Sequence, residues 1–133
     1  MIILDTHVLL WMDCNDDALG LASRSLIETA WRKGRVGVSA ISFWEVAQLA
    51  EKGRISLPVS PEIWRADWLE SGLIEIPIDG RIAISSTQLD LPHRDPADRL
   101  ITATAIQQQA QLITADQKIL DWDHALSRQD ARR

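Results

Sequence analysis

Four carboxylates in this sequence stand where a parallel sheet would bring them to one edge. Asp5 directly follows the apolar run 2–4, Asp116 comes just after the run 112–114, and Glu45 and Asp98 lie in the first turns of predicted helices. Crowded carboxylates repel one another and stay ionised only when cations compensate them. An all-oxygen set suits one or two Mg²⁺ or Mn²⁺ ions. Such a site supports hydrolysis of a phosphodiester, in which one ion activates water and a second stabilises the leaving oxygen.

Three of these acids also have a purely structural interpretation. Ser42 and Glu45 have the spacing of a capping box, in which the glutamate only satisfies the start of a helix. Asp98 falls at the third position of its helix, where the helix dipole favours an acid. Asp116 fits an N-cap. Asp5 is the hardest to explain in this way, because no helix start is needed to account for an acid that ends an apolar strand.

The elements that position these acids alternate between short apolar runs and longer helical segments. Strands are predicted at 2–4, 36–38, 73–78 and 112–114. Because the third contains Pro77, it is expected either to lie at a sheet edge or to have its pairing near its end. Helices are predicted at 19–33, 42–52, 60–72, 79–89 and 96–109, with one more helical turn after Asp116. The first helix is expected to have Asp16 or Asp17 as its N-cap and Gly34 as its stop.

This alternation predicts an α/β fold, a sandwich around a central, mainly parallel sheet of four to five short strands. In such sheets the ligand site lies outside the carboxyl ends of the strands. With 133 residues, 46% of them hydrophobic, the chain is expected to form a single domain over 1–133. The polar residues 127–133 are expected to be a frayed tail.

Composition excludes several classes of protein. The single cysteine, Cys14, rules out an internal disulfide and a thiolate zinc cluster, which favours a reducing, cytoplasmic setting. No apolar run is long enough to span a membrane, and no secretion signal is expected at the N-terminus. A net charge of −5 argues against a protein that coats nucleic acid through charge alone. It does not argue against a nucleic-acid enzyme whose acids hold metal.

At these residues the sequence resembles the PIN-domain ribonucleases, specifically the VapC-type toxins of type II toxin–antitoxin systems. The most specific part of the likeness is Asp-Pro-Ala-Asp-Arg at 95–99 together with Thr-Ala-Asp at 114–116. The blocks keep the order of the family over nearly the whole chain, and they are 4–11, 39–47, 52–55, 91–101 and 112–116. The resemblance implies a PIN fold and a metal-dependent endoribonuclease that cuts single-stranded or looped RNA.

The resemblance also implies roles for particular residues and partners. Asp5, Glu45 and Asp98 match the core metal-binding acids of the family, and Asp116 matches a more peripheral fourth acid. The hydroxyl of Thr6 or Thr114 is expected to orient a carboxylate or a metal-bound water. Members usually form homodimers and are neutralised by a small VapB-like antitoxin, whose C-terminal segment lies across the active site.

Residues near the acids have open interpretations. Arg94 and Arg99 bracket Asp98, and they are expected either to form ion pairs that hold the acids apart or to contact RNA phosphates. His7 and His93 flank the site in sequence, but a metal or general-base role is secondary because the acids suffice. Five of the six tryptophans are expected in the core. Trp44 neighbours the apolar stripe of its helix without belonging to it and is expected to face a partner.

Other functions are weighed against this one. A non-catalytic PIN module that binds RNA or protein is the main alternative. A phosphoacceptor domain would need an acid beside Asp5 and a suitable late lysine, but Asp5 has no acidic neighbour and Lys118 is the only late lysine. A haloacid-type phosphatase would need Asp-x-Asp after the first strand, and this chain has Asp5-Thr6-His7 there.

Overall fold

A five-stranded parallel sheet organises the protein, whose computed structural model describes residues 1–133. The strands are β1 (Ile2–Leu4), β2 (Val36–Ser39), β3 (Ile74–Ile76), β4 (Gln111–Thr114) and β5 (Arg128–Asp130). Their order across the sheet is β3-β2-β1-β4-β5, and every pair is parallel. The predicted α/β fold with a mainly parallel sheet is confirmed. β3 lies at an edge of the sheet, and it is shorter than the predicted 73–78 because it ends at Ile76, before Pro77.

Seven helices connect these strands. They are α1 (Thr6–Asp13), α2 (Leu21–Arg32), α3 (Ala40–Glu51), α4 (Pro61–Glu70), α5 (Gly80–Gln88), α6 (Pro96–Gln107) and α7 (Gln117–Leu120). None of them is both long and apolar enough to cross a membrane.

The central strand β1 separates two hydrophobic layers. Ile2 and Leu4 point into one layer, with buried side chains from α1 to α4, while Ile3 points into the other, with side chains from α5 to α7. Successive side chains of a strand face opposite sides of its sheet, and a strand buried on both sides therefore reads as a continuous apolar run. The short β1 is thus held on both faces, which fixes the position of the residue that follows it.

Local sequence signals set most helix starts. Ser60, Asp79, Asp95 and Asp116 are N-caps at or beside the predicted helix starts, and their side chains accept hydrogen bonds from backbone N–H groups. The residues after the C-caps of α2 and α3 are glycines with positive φ, Gly34 at +64° and Gly53 at +70°, as expected for helix stops.

The N-cap of α2 was predicted wrongly. The helix begins after Gly20 rather than at Asp16 or Asp17, and Gly20 provides no side-chain cap. Its N–H donates to the carbonyl of Ala131, and a Cβ at this position would lie 2.1 Å from the backbone carbon of Arg133. Close packing against the C-terminal segment therefore sets this helix start, and local sequence does not reveal that contact. Asp16 instead accepts from the Ala18 N–H in the preceding turn.

The frayed tail expected at 127–133 was also wrong, because these residues include the edge strand β5. Arg128, Gln129 and Asp130 pair with β4, and Ala131 is fully buried. The N–H of Ser23 donates to the carbonyl of Arg133, tying the segment to α2 as well. The side chains of β5 are polar, so its sequence has no apolar run that would indicate a strand. Backbone pairing with β4 defines it.

The tryptophans expected in the core are buried to different degrees. Trp64 and Trp122 are buried, while Trp11, Trp31 and Trp68 are only partly buried against the core. Trp64 and Trp68 pack edge to face on α4, with ring centroids 6.2 Å apart. Trp44 is 53% exposed, as expected for a residue outside the apolar stripe of α3. Trp11 also lines a cavity.

Candidate active site

The carboxyl edge of the parallel sheet carries the acids, as the sequence predicted. Asp5 ends β1, and Asp116 follows β4, the neighbour of β1 in the sheet. Asp98 lies in the first turn of α6. A cavity of about 250 Å³ opens at this edge and is lined by Asp5, His7, Trp11, Asp98, Ala115 and Asp116. Three of the four predicted acids therefore share one cavity.

Asp5 is the most deeply buried of the acids, at 5% exposure. One carboxylate oxygen, Oδ1, accepts from the Thr6 N–H at 2.7 Å, and the other, Oδ2, accepts from the Thr114 hydroxyl at 2.7 Å. Asp5 is also the N-cap of α1, a helix that the sequence analysis did not predict. The argument that no helix start explains this acid was therefore wrong, although Asp5 still lies at the expected edge.

Glu45 is linked to the same site through Thr6. The hydroxyl of Thr6 lies 2.6 Å from Glu45 Oε1 and 2.9 Å from Ser42 Oγ. Since a hydroxyl has one proton and a carboxylate only accepts, we assign the proton to the bond with Glu45, with Ser42 donating to Thr6. The expected capping box is absent, because Ser39 caps α3 and Glu45 lies in its second turn rather than its first. Glu45 does not line the cavity itself.

Asp98 and Asp116 meet at a histidine. His93 Nε2 lies 2.6 Å from Asp116 Oδ2 and 3.0 Å from Asp98 Oδ2. The other ring nitrogen, Nδ1, accepts from the Asp95 N–H at 3.3 Å, which assigns the Nε2 proton to the side facing the two carboxylates. One atom each from His93, Asp98 and Asp116 lies within 4.8 Å of the others, a spacing that would admit a metal ion. His93 therefore lies between two of the predicted acids, a position that the sequence alone does not reveal.

Burial raises the pKa of three of the acids. It raises the pKa of Asp5 and of Glu45, against the hydrogen bonds from Thr114 and Thr6 that lower them. The pKa of Asp98 rises to about 7, first because of burial and then because of the neighbouring charges of Asp5 and Asp95. The site thus gathers negative charge in a place where water stabilises it poorly, and a cation would stabilise it.

The donor set fits a hard divalent cation. Carboxylate oxygens are the ligands that Mg²⁺ and Mn²⁺ prefer, and no thiolate is near, since the only cysteine is the exposed Cys14. The hydroxyls of Thr6 and Thr114 each contact a carboxylate, which is the orienting contact expected of them. Hydrogen bonds of this kind fix the direction of a ligand oxygen before a metal arrives.

The two arginines beside Asp98 differ from each other. The Arg99 guanidinium donates to four backbone carbonyls, those of Ser86, Leu89, Leu91 and His93, so it forms neither of the two expected contacts. It holds the loop that carries His93. Arg94 is exposed and pairs with no acid.

Two arginines of the segment that was expected to be frayed have hydrogen-bond partners, while Arg133 remains exposed. Arg128 donates to backbone carbonyls around α7, and Arg132 pairs with Asp130.

The sequence matches a known protein family and a characterised relative. A family model described as PIN domain matches residues 2–124. The chain is 35% identical over 127 residues to "Ribonuclease VapC22" of Mycobacterium tuberculosis, and the match covers 92% of both chains.

Solved structures share the fold at lower identity. VapBC2 from Rickettsia felis, bound to a DNA fragment from its promoter, aligns with a TM-score of 0.71 at 19% identity and covers 97% of this chain and 98% of that one. DNA-bound VapBC from Salmonella typhimurium aligns with a TM-score of 0.70 at 19% identity and covers 97% of this chain and 96% of that one. A toxin–antitoxin complex from Klebsiella pneumoniae aligns with a TM-score of 0.66 at 23% identity and covers 95% of each chain.

Proposed function

Because the chain belongs to the PIN domain family, we propose that it is a metal-dependent endoribonuclease, the toxin of a toxin–antitoxin pair. The observation that carries the proposal is a cavity lined by three carboxylates at the sheet edge where the fold places ligands. The relative that is 35% identical is named a ribonuclease, which supports the same activity here. We further infer that residues 1–133 act as a single domain.

Asp5, Glu45, Asp98 and Asp116 are the residues we propose as metal ligands, for one or two Mg²⁺ or Mn²⁺ ions. The fit is supported by the oxygen-only donors and by the raised pKa of Asp5, Glu45 and Asp98. A bound divalent cation supplies activation of water and stabilisation of the charge that develops on the phosphate and the leaving oxygen.

The surrounding side chains hold the acids in place. Thr114 donates to Asp5, and Thr6 donates to Glu45, so each carboxylate has one oxygen directed by a fixed hydroxyl. His93 donates between Asp98 and Asp116 and offsets the repulsion between them. Preorganised ligands need no rearrangement when the substrate arrives, which is the main protein contribution to this kind of catalysis.

RNA binding in this proposal depends on local groups, since the net charge is −5. Arg94 is the exposed arginine beside the site that no protein group engages, and we propose that it contacts a phosphate of the substrate. Arg99 is not available for this purpose, because its donors are used by backbone carbonyls.

The proposed partners are a VapB-like antitoxin that neutralises the activity and a second copy of the chain in a homodimer. Solved structures of the same fold are toxin–antitoxin complexes, which supports the antitoxin. The exposed Trp44 suits a contact with a protein partner. A cytoplasmic location belongs to the same proposal and is consistent with the free Cys14.

The test is cleavage of total RNA by the purified chain with Mg²⁺, with Mn²⁺ and with EDTA. We expect cleavage with a divalent ion, none with EDTA, and a loss of roughly 100-fold or more in Asp98→Asn, as typical when a charge-stabilising group is removed from an active site. Asp67→Asn is the matched control, because it makes the same change at an exposed site on α4.

Three results would contradict the proposal or one part of it. Cleavage that persists in EDTA would exclude metal dependence. Binding of RNA without cleavage at saturating Mn²⁺ would favour the non-catalytic module. Equal rates for wild type and a folded Asp98→Asn variant would remove Asp98 from the site.

A further inference from the structure

The cavity at the acid site has one large apolar wall, and Trp11 forms it. The other lining residues are three aspartates, His7 and Ala115. None of them is a lysine or arginine, so the side chains of the cavity offer a polyanion no charge attraction of their own. The proposed metal would hold the phosphate, but a nucleotide base that enters the cavity must gain binding free energy from another source.

Helix α1 sets the position of Trp11. It lies on α1, the helix that Asp5 caps, six residues beyond that acid. At about 1.5 Å per residue, this spacing corresponds to roughly 9 Å along the helix axis. His7 lies four residues before Trp11, on the same side of the helix, and both side chains line the cavity.

Trp11 is partly buried against the hydrophobic layer that contains Val8 and Leu9. The same side chain lines the cavity. An aromatic side chain that is packed against a core and also borders a ligand site can stack on a flat ligand at little entropic cost. Trp44 is more exposed, at 53%, but it does not line the cavity.

We propose that Trp11 is a positioning residue that stacks against an unpaired RNA base next to the phosphate held at the acids. This inference rests on the proposed ribonuclease function and adds the group that orients the substrate. Stacking requires no particular base, because every base has a π-face. It also requires that the base be free of its duplex partner, so Trp11 favours unpaired over paired RNA.

The stacking contribution can be separated from electrostatic contributions. Base–aromatic stacking contributes about 1–3 kcal/mol per base, which corresponds to about a 5- to 150-fold change in affinity. This contribution does not depend on charge, so the effect of changing Trp11 should be similar at low and high salt. Phosphate contacts such as the one proposed for Arg94 weaken steeply with salt.

The experiment compares wild type with Trp11→Phe and Trp11→Leu. Leucine keeps an apolar side chain against the core and removes the aromatic face, while phenylalanine keeps a smaller face. The substrate is an RNA oligonucleotide spanning a cleavage site mapped in total RNA, or a pool of random dodecamers if no site is found. Thermal melting and Mn²⁺ binding of each variant show whether the fold and the metal site are intact.

We expect Trp11→Leu to raise KM about 5- to 150-fold, with a much smaller change in kcat, and Trp11→Phe to recover most of the loss. An abasic nucleotide beside the cleaved phosphate should raise the KM of wild type for the oligonucleotide by a similar factor. The same change should raise the KM of Trp11→Leu little further. A merely structural role for Trp11 would not make its effect depend on the presence of that base.

The outcomes distinguish this inference from the proposed function. Unchanged KM in a folded Trp11→Leu variant, or equal loss from the abasic substitution in both proteins, would overturn the stacking role. If wild type binds a cleavage-resistant phosphorothioate RNA but cleaves nothing, the nuclease proposal fails and the dissociation constants of wild type and Trp11→Leu still decide the stacking. If wild type neither binds nor cleaves, both proposals are refuted.

Discussion

Asp98 is expected to destabilise the metal-free protein at neutral and alkaline pH, so that Asp98→Asn melts at a higher temperature than wild type. The carboxyl group is 18% exposed, and its pKa is raised to about 7 by burial and then by the charges of Asp5 and Asp95. Asparagine has nearly the same shape and no charge, and its amide oxygen still accepts from His93. The substitution therefore removes the charge while keeping the contacts.

The sign and size of the stability change follow from the difference between the pKa of Asp98 in the folded and in the unfolded protein. The unfolded value is 3.8 and the folded value about 7, so the native state binds the proton more tightly. The stability from this group is fully present below about pH 4 and is lost as pH rises through about 7. A difference of about three pKa units corresponds to about 4 kcal/mol at most. For a chain of this size we expect roughly a 10 °C gain in Tm for Asp98→Asn above about pH 8.

The assay is thermal unfolding followed by circular dichroism from about pH 4 to about pH 9, in EDTA and in saturating Mn²⁺. The two proteins should melt together at about pH 4, because a protonated aspartate and an asparagine are alike in charge. In EDTA the difference in Tm between the two proteins should increase as pH rises. A bound ion at 100 times its Kd should raise the free energy of unfolding of wild type by about 2.7 kcal/mol, and its Tm with it. The increase should be smaller for Asp98→Asn.

Two outcomes would refute the predicted stabilisation of Asp98→Asn. Parallel melting curves across the whole pH range in EDTA would mean that Asp98 carries no burial penalty. A lower Tm for Asp98→Asn at about pH 8 would mean that the ionised carboxylate is stabilising, with His93 outweighing burial. The exposed Asp67→Asn control should show no gap that grows with pH.

Two further predictions test other contacts. Thr114→Val removes the hydroxyl that donates to the buried Asp5 and should cost about 1–3 kcal/mol in urea unfolding at neutral pH; a loss below about 0.5 kcal/mol would contradict the importance of this bond. Deletion of residues 128–133 removes β5 and the fully buried Ala131 and should lower the free energy of unfolding by more than about 3 kcal/mol. An unchanged melting temperature would instead support the prediction that these residues form a frayed tail.

The fold was largely predictable because most elements carry their own signals. α4 and α6 begin with a capping residue followed by proline, and the stops of α2 and α3 are glycines. α1 was missed because Asp5 was interpreted only as a metal ligand, and the same side chain also caps the helix. β5 was missed because its sequence, Arg-Gln-Asp, has no apolar residue, and only pairing with β4 defines it as a strand.

The site was predictable to the level of residue types at one edge. Parallel strands bring their carboxyl ends together, so Asp5 and Asp116 were expected to be neighbours. The position of His93 was not predictable, because it depends on a loop that Arg99 holds through four carbonyls. Contacts of this kind join distant parts of the chain and leave no periodic signal in the sequence.

The hydrogen bond between Thr114 and Asp5 joins residues 109 positions apart. Strand β1, which carries Asp5, sits in the middle of the sheet and has β4 as one of its two neighbours. Contacts between such distant residues form only after most of the loop-closure entropy has been lost, which makes assembly of this edge late and cooperative. A nascent chain on the ribosome therefore has no assembled acid site until β4 has been synthesised and paired. The cell that makes the protein therefore meets any activity of this site only in chains that already extend past β4.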